Sequence, residues 1–403
     1  MNHADKNNIL YPLQHGFRSK RSCETQLIEF VDEITINMSS GKQTDVLIMD
    51  FSKAFDKVSH SLLVHKLDHY GIRGKTNTWI QNFLSDRSQA VVVEGEKSNY
   101  INVESGVPQG SVLGPSLFLF YINDMPCGMN STVRLFADDT IAYLAVTSKT
   151  DALNLQSDLN KLGIWEKKWK MEFHPDKCNV LTISKKANPI KFEYKLHGHT
   201  LKSVNNAKYL GCTITSDLTW TNHINNICGK ANKTLGFLRR NLNIGSTTTK
   251  QNAYNSLVRP IVEYASTVWD PYTQKDIHTL DMVQRRGARY VCNKHGNRSS
   301  VDNMLTTLEW TSLEQRRKEA RLHMLYKIHN KEVEISPENR LIPPSRLSRN
   351  MHNLSFQIPS TNSDYRKFSF FPRNIRDWNA LPPDIVAAGS LEIFKKRVSL
   401  YNL

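Results

Sequence analysis

No stretch of this sequence reaches the run of about 18–20 apolar residues that a bilayer-spanning helix needs. The longest apolar run, Val112 to Ile122, is interrupted by Gly114, Pro115 and Ser116. The N-terminal MNHADKNNILYPLQHGF has no apolar core of the signal-peptide kind. Cysteine is scarce: six residues, at positions 23, 127, 178, 212, 228 and 292, with no Cys-x-x-Cys pair. That excludes a secreted disulfide scaffold and favours a reducing compartment. Cys292 and His295 have a ligand-like spacing, with His323 and His329 beyond, but a second close pair containing Cys is missing. A buried free thiol and surface imidazoles are the expectation there. There is no internal repeat and no low-complexity tract. Together these absences predict an intracellular protein, nuclear or cytoplasmic, with no membrane partner.

What is present is enough for a core. The 403 residues suit two or three domains, and 39% hydrophobic residues with 7 Trp and 16 Phe argue against wholesale disorder. Acid is in short supply in one half only. Residues 1–225 hold 25 basic and 23 acidic side chains, whereas residues 226–403 hold 28 and 15, so nearly all of the formal +15 lies in the second half. Such an excess favours a polyanionic partner, nucleic acid or an anionic membrane. Arg239, Arg240, Arg285, Arg286, Arg289, Arg316 and Arg317 are the residues to track phosphates; the alternative is a set of solvated helix faces over Trp269, Trp310 and Trp378.

Along the chain, residues 45–51 (DVLIMDF) predict a buried strand that delivers Asp50 at its C-terminal end. Leu62, Leu63, Lys66, Leu67 and Tyr70 have helical spacing up to Gly71, and a second helix is predicted near 76–84. Residues 90–93 and 99–103 predict a strand pair. Residues 105–111 (SGVPQGS) read as a loop before an apolar helix ending near Asn123. Residues 132–137 and 140–146 predict two strands joined by Asp138-Asp139. An amphipathic helix is predicted over 150–170, and strands over 178–184, 192–196 and 207–215. Beyond Thr215 the chain turns helical and basic, over 222–242, 248–265, 272–293 and 311–330. Residues 331–375 read as irregular, and a last helix as 391–400.

An Asp at a strand end, or an Asp pair in a turn, is ordinarily just a turn residue. The apolar flanks LIMDF and LFADDT change the argument. Carboxylates gathered from buried strands repel one another unless cations neutralise them. Mg²⁺ takes one or two carboxylates and completes its shell with water and substrate phosphates. Two such ions about 3.5–4 Å apart activate an attacking oxygen and stabilise a leaving one. That is the chemistry of nucleotidyl transfer.

Asp50 opens DFSKAFDKVSH, residues 105–117 read SGVPQGSVLGPSL, and residues 136–139 read FADD. In this order the chain resembles the reverse transcriptases of non-LTR (LINE-type) retrotransposons, closest to the jockey-like group, in their motifs A, B and C. Residues 174–182 (HPDKCNVLT) resemble motif D, 208–212 (KYLGC) resemble motif E, and 14–27 (QHGFRSKRSCETQL) resemble the fingers motif that precedes A. The likeness covers roughly residues 10–240.

The resemblance implies an α+β right-hand polymerase. Partial fingers would occupy 1–44, a palm with an antiparallel sheet 45–215, a helical thumb and basic helical region 216–330, and a linker and C-terminal segment 331–403. It implies RNA-directed DNA synthesis from dNTPs on an RNA template and a DNA primer, with two Mg²⁺ ions or Mn²⁺ in their place. Asp50, Asp138 and Asp139 would hold the metals, the first two most directly, with the Phe51 carbonyl beside them. Phe55 would be the steric gate against a 2′-OH; viral RNA polymerases tend to have Asp at that place. Gln109 and Gly110 would meet the incoming nucleotide, Lys177 the pyrophosphate leaving group, and Tyr209, Leu210 and Gly211 the primer. Arg18, Arg21, Arg239 and Arg240 would contact nucleic acid. With 49 residues before Asp50, the triphosphate-gripping early fingers and an endonuclease are expected to be missing. The rival reading is accordingly a catalytically inactive remnant that only binds nucleic acid. Oligomeric state is not readable.

Overall fold

Seven residues, Gln43–Met49, form the middle strand of a five-stranded sheet and are buried on both faces at nearly every position. This is why VLIM runs without alternation. In chain order the elements used below are helix α1 (Cys23–Ser39), strand β1 (Gln43–Met49), helices α2 (His60–His69) and α3 (Leu113–Ile122), strands β2 (Thr132–Phe136) and β3 (Asp139–Val146), helix α4 (Lys149–Trp169), strands β4 (Asn179–Ile183) and β5 (Lys202–Val204), then helices α5 (Thr221–Asn241), α6 (Gln274–Val291), α7 (Leu313–His329), α8 (Phe370–Asn379) and α9 (Leu391–Leu400). The computed structural model describes residues 2–243, 245–294, 296, 299–347 and 351–401. His295 of the Cys292/His295 pair lies outside the described residues. The fold is mixed α and β. No helix among the described residues is long and apolar enough to cross a membrane.

Two compact units interleave in sequence: Met1–Ser22 with Lys42–Ala207, and Cys23–Gly41 with Lys208–Leu403. In the first, the strand order is β5-β4-β1-β3-β2. β1 runs antiparallel to β3, from Gln43↔Val146 to Met49↔Thr140, and antiparallel to β4; β5 joins β4 in parallel. Apolar residues of α3 and α4 share one core with Leu47, Met49, Val133 and Leu135. The polar start of β1 is satisfied. Asp45 accepts from Gln43 Nε2 (2.7 Å), Thr182 Oγ1 (2.9 Å) and the Tyr194 hydroxyl (2.7 Å), so burial leaves no unpaired carboxylate.

Lys66 on α2 is the buried cation of this core, 3% exposed. Its ammonium lies 3.5 Å from the Trp169 ring centre and donates to Asp124 Oδ1 at 2.5 Å and to the Tyr121 carbonyl. Thus α2, the end of α3 and the end of α4 meet on one charge.

In the second unit, α1 buries Leu27, Ile28, Phe30, Ile34 and Met38, and also Gln26, Glu29 and Asp32. The buried polar groups are tied. Gln26 Nε2 donates to the Tyr209 hydroxyl (2.6 Å), and Asp32 accepts from Arg340 (2.9 Å) and Arg366 (2.5 Å). Burial on almost every side explains why α1 shows no one-sided helical pattern in the sequence. Helix α1 groups with the second unit and residues 1–22 with the first.

Other elements differ from expectation in detail. The 248–265 helix is two, Thr247–Leu257 and Arg259–Glu263, because Pro260 lacks the N–H that a continuous helix would need. Residues 207–215 are a hairpin, Asn206–Tyr209 and Cys212–Thr215. The 90–103 region is an exposed ribbon of two-residue strands. Of 192–196, only Lys195–Leu196 is strand.

Burial, the largest cause, pulls the Lys66 ammonium down to about 8, against the opposing pull of Asp124. The unfolded chain therefore holds a proton that the folded chain has released between about pH 8 and the ordinary lysine value of about 10.4. Unfolding free energy should rise with pH across that window, by about 1 kcal/mol per pH unit. Urea unfolding at pH 7.5, 9 and 10 should show this rise in the wild type relative to Lys66→Met, in which it is absent.

Candidate active site

The site is built at one end of the β1–β3 pair. Phe136 pairs with Asp139, so Ala137 and Asp138 form the tip of the β2–β3 turn. Ala137 takes the left-handed conformation, with φ of 53°. Because Met49 faces Thr140, the next residue of the β1 chain, Asp50, lies level with the mouth of that turn. Asp138 is half-buried, and its carboxyl is raised above the usual range, first by burial and then by the charge of Asp50, against backbone hydrogen bonds. The two carboxylates therefore sense each other.

A positive charge already stands beside them. Lys177 Nζ is 3.3 Å from Asp50 Oδ2. It is carried by a turn in which the His174 carbonyl accepts from Lys177 N (2.9 Å), while His174 N donates to the Asp50 carbonyl (2.8 Å). Phe51 stacks on Phe173 with ring centres 4.2 Å apart, which pins this turn against the end of β1. Asp139 is exposed at the head of β3. Among the described residues no group of three His, Cys, Asp or Glu converges on one ion position. Asp50 and Asp138 are two carboxylates that act on each other electrostatically. A pair still fits Mg²⁺, which needs only one or two carboxylates from protein, and the ammonium at Asp50 marks where a cation is favoured.

The motif beginning at Asp50 docks on the SGVPQGS loop. Gly106 N donates to the Val58 carbonyl (2.8 Å) and Val107 N to the Phe55 carbonyl (2.9 Å). Ser105 Oγ donates to the Asp56 carbonyl (2.8 Å), and Gln109 Nε2 to Asp56 Oδ1 (2.9 Å). Gln109 is thus oriented by Asp56, a partnership that the sequence did not disclose. Phe55 is half-buried, stacked on Phe118 at 4.3 Å, with the edge of Phe17 at 6.5 Å. Lys53, Asp56, Arg87, Gln89 and Gln109 line a cleft of about 740 Å³. Gly110 is exposed at its loop.

In the second unit Leu210 and Gly211 both have positive φ, 43° and 84°, as a two-residue hairpin turn requires. The Tyr264 hydroxyl donates to the Leu210 carbonyl (3.1 Å). Tyr209 is buried, with Phe30 edge-on at 5.8 Å. Arg239 and Arg240 are exposed at the end of α5.

Arg18, Arg21, Arg316 and Arg317 are engaged within the protein. Arg18 donates to the Tyr11 carbonyl (3.1 Å) and lies 3.6 Å from Asp5, and Arg21 donates to the Pro12 carbonyl. The expectation that Arg316 and Arg317 track phosphates is corrected. Arg317 is 1% exposed and donates to Asp270 (2.6 Å), which also binds Arg321 (2.8 Å) and Arg373 (3.1 Å). Arg316 is held by Glu263. Trp269 and Trp378 are fully buried.

The chain is similar to known proteins over more than half of its length. The family profile described as reverse transcriptase (RNA-dependent DNA polymerase) matches residues 1–214. A probable RNA-directed DNA polymerase from transposon BS of Drosophila melanogaster is 28% identical over 302 residues, 70% of this chain and 33% of that protein. The RNA-directed DNA polymerase from mobile element jockey of Drosophila melanogaster is 27% identical over 304 residues, 71% of this chain and 32% of that protein. The chain spans about a third of the length of these curated relatives. Apo telomerase from Candida tropicalis aligns with a TM-score of 0.44 at 10% identity, over 81% of this chain and 52% of that chain.

Two glycines of the docked loop separate conformation from space. Both have positive φ, 89° at Gly106 and 80° at Gly110. A Cβ at Gly106 would stand 2.8 Å from Asp56 Cα, whereas one at Gly110 meets nothing within 4 Å. Gly110→Ala should cost about 1 kcal/mol, the conformational cost alone. Gly106→Ala should cost more, about 3 kcal/mol, because the backbone of Asp56 must also move. Urea unfolding of the two variants checks the ordering.

Proposed function

The chain belongs to the reverse transcriptase (RNA-dependent DNA polymerase) family, and from that premise we propose that it synthesises DNA on an RNA template, as part of a non-LTR mobile element. The observation that carries this reading is Asp50 just past the end of β1 and Asp138 in the turn that leads into the adjoining β3, with Lys177 against the first. On this reading the sheet of the first unit is the palm, residues 45–215, and the first 44 residues are partial fingers. Residues 216–330 are the thumb and basic helical region, and residues 331–403 a linker and C-terminal segment.

Asp50 and Asp138 would hold two Mg²⁺ ions, or Mn²⁺, with the Phe51 carbonyl and Asp139 next to them. The ions supply activation of a primer 3′-OH and neutralisation of the leaving pyrophosphate. The other roles belong to the chain itself. Phe55, wedged between Phe118 and Phe17, presents a fixed ring under the sugar and excludes a 2′-OH. Asp56 aims Gln109 at the incoming dNTP, with Gly110 leaving its backbone open. Lys177, beside Asp50, would meet the charge that develops on the pyrophosphate leaving group. The Tyr209–Leu210–Gly211 turn supports the DNA primer. Arg18 and Arg21 brace the N-terminal segment beside the template, while Arg239 and Arg240 contact phosphates of the duplex. The rival, a remnant that binds nucleic acid without polymerising, makes the opposite forecast in one assay.

Primer extension on an RNA template with dNTPs and Mg²⁺ should give product with the wild-type chain and background with Asp138→Asn. Equal background for both would leave only the remnant. Phe55→Ala should admit rNTPs that the wild type rejects. Replacing Arg239 and Arg240 together by Ala should flatten the salt dependence of duplex binding by about 2 in the log–log slope, measured by fluorescence anisotropy.

A further inference from the structure

The segment resembling the fingers motif, QHGFR, runs beside β2 in the first unit. His15 N donates to the Leu135 carbonyl (2.8 Å), Leu135 N donates to the Leu13 carbonyl (3.0 Å), and Gln14 bridges Leu135 in parallel. Here the Gln14 side chain is 2% exposed and turned inward. Its Oε1 accepts from two backbone amides, Gly16 N at 2.8 Å and Ala137 N at 3.0 Å. Ala137 is the left-handed residue immediately before Asp138. Gly16 lies so close that a Cβ on it would come within 2.3 Å of Ala137 N. By contrast, Gln14 Nε2 is buried with no hydrogen-bond partner among the described residues.

We propose that Gln14 is a positioning residue for the carboxylate turn: one side-chain oxygen, shared between Gly16 and Ala137, holds the tip that presents Asp138 to Asp50. The inference rests on the polymerase reading for its purpose. Three features point the same way. A two-residue hairpin turn takes positive φ at its first residue, where Ala137, unlike glycine, carries a strain that a hydrogen bond from outside the hairpin helps to hold. The Ala137 N–H at the tip finds its partner in a side chain 123 residues away in sequence, and so does not depend on the strands. The hydrogen bonds that the amide makes among the described residues are those of its oxygen. Glutamate would offer the same acceptor, but would add a further negative charge to a turn that already holds Asp138 and Asp139 with Asp50 beside it. The neutral amide supplies the oxygen without that repulsion. The absence of a Cβ at Gly16 lets the segment come close enough for the shared bond.

The experiment uses the full chain and Mn²⁺ itself as probe, followed by isothermal titration calorimetry, with amide exchange measured at Ala137. Gln14→Met keeps the length and loses the acceptor. It should weaken Mn²⁺ binding by about tenfold or more, as losing a group that orients a ligand does, and should speed exchange at Ala137. Gln14→Glu keeps the acceptor and should bind Mn²⁺ at least as tightly as the wild type. Val146→Ala, at the far end of β3, is the stability control. It should lower the melting temperature without changing Mn²⁺ affinity. Wild-type affinity in Gln14→Met overturns the proposal. So does an equal loss in Val146→Ala, or a loss in Gln14→Glu like that in Gln14→Met. A wild-type chain that binds Mn²⁺ without extending a primer defeats the polymerase reading and leaves the comparison among variants decisive. One that binds no Mn²⁺ overturns both.

Discussion

The register of β1 against β3 is the constraint on which the site depends. Met49 opposite Thr140 sets Asp50 at the mouth of the turn that carries Asp138. Neither carboxylate could be placed by its own strand alone. A slip of one residue would exchange the faces of β1 and move Asp50 along the turn. The slip is opposed at the other end of the strand, where Gln43 and Asp45 are hydrogen-bonded to Ile190, Thr182 and Tyr194. A buried polar cluster at one end of β1 thus sets the geometry of a carboxylate pair at the other. Packing would tolerate small shifts more readily than directional hydrogen bonds do.

The local parts of this arrangement were legible in the sequence. The apolar run before Asp50, the turn at Asp138 and the helical spacing from Leu62 to Tyr70 each follow from periodicity within a dozen residues. So do α5, α7 and α9, whose limits agree with expectation to within a few residues. The illegible parts share a cause: each is a contact between residues distant in sequence. Asp56 holding Gln109, Gln14 reaching Ala137, and Lys66 meeting Asp124 and Trp169 have no signature in composition or spacing. Helix α1 was missed because its surroundings bury it on most sides, which erases the amphipathic pattern. The site's residue types were thus readable, whereas their orientation was not.

The basic second half shows how far net charge can mislead when it is read as surface. Asp270 alone receives Arg317, Arg321 and Arg373, and Asp32 receives Arg340 and Arg366. These guanidiniums are committed to the packing of the unit, where each shared carboxylate satisfies more than one planar donor. Removing either acid would strand buried cations, a far larger disturbance than loss of an exposed pair. Part of the positive charge counted in the sequence is therefore buried within the unit and not displayed on its surface.

The interleaving of the two units bears on how the chain acquires its shape during synthesis. Helix α1 emerges from the ribosome before any strand of the large sheet, yet its partners Tyr209, Arg340 and Arg366 come more than 180 residues later. Through most of translation its apolar residues have no native surface to cover. A proteolytic nick near Ala207 would likewise fail to release two self-sufficient halves, since the N-terminal piece would retain a helix whose contacts left with the other. Long-range closure of this kind is slow, and the chain is most vulnerable to mispairing and to chaperone capture while α1 waits.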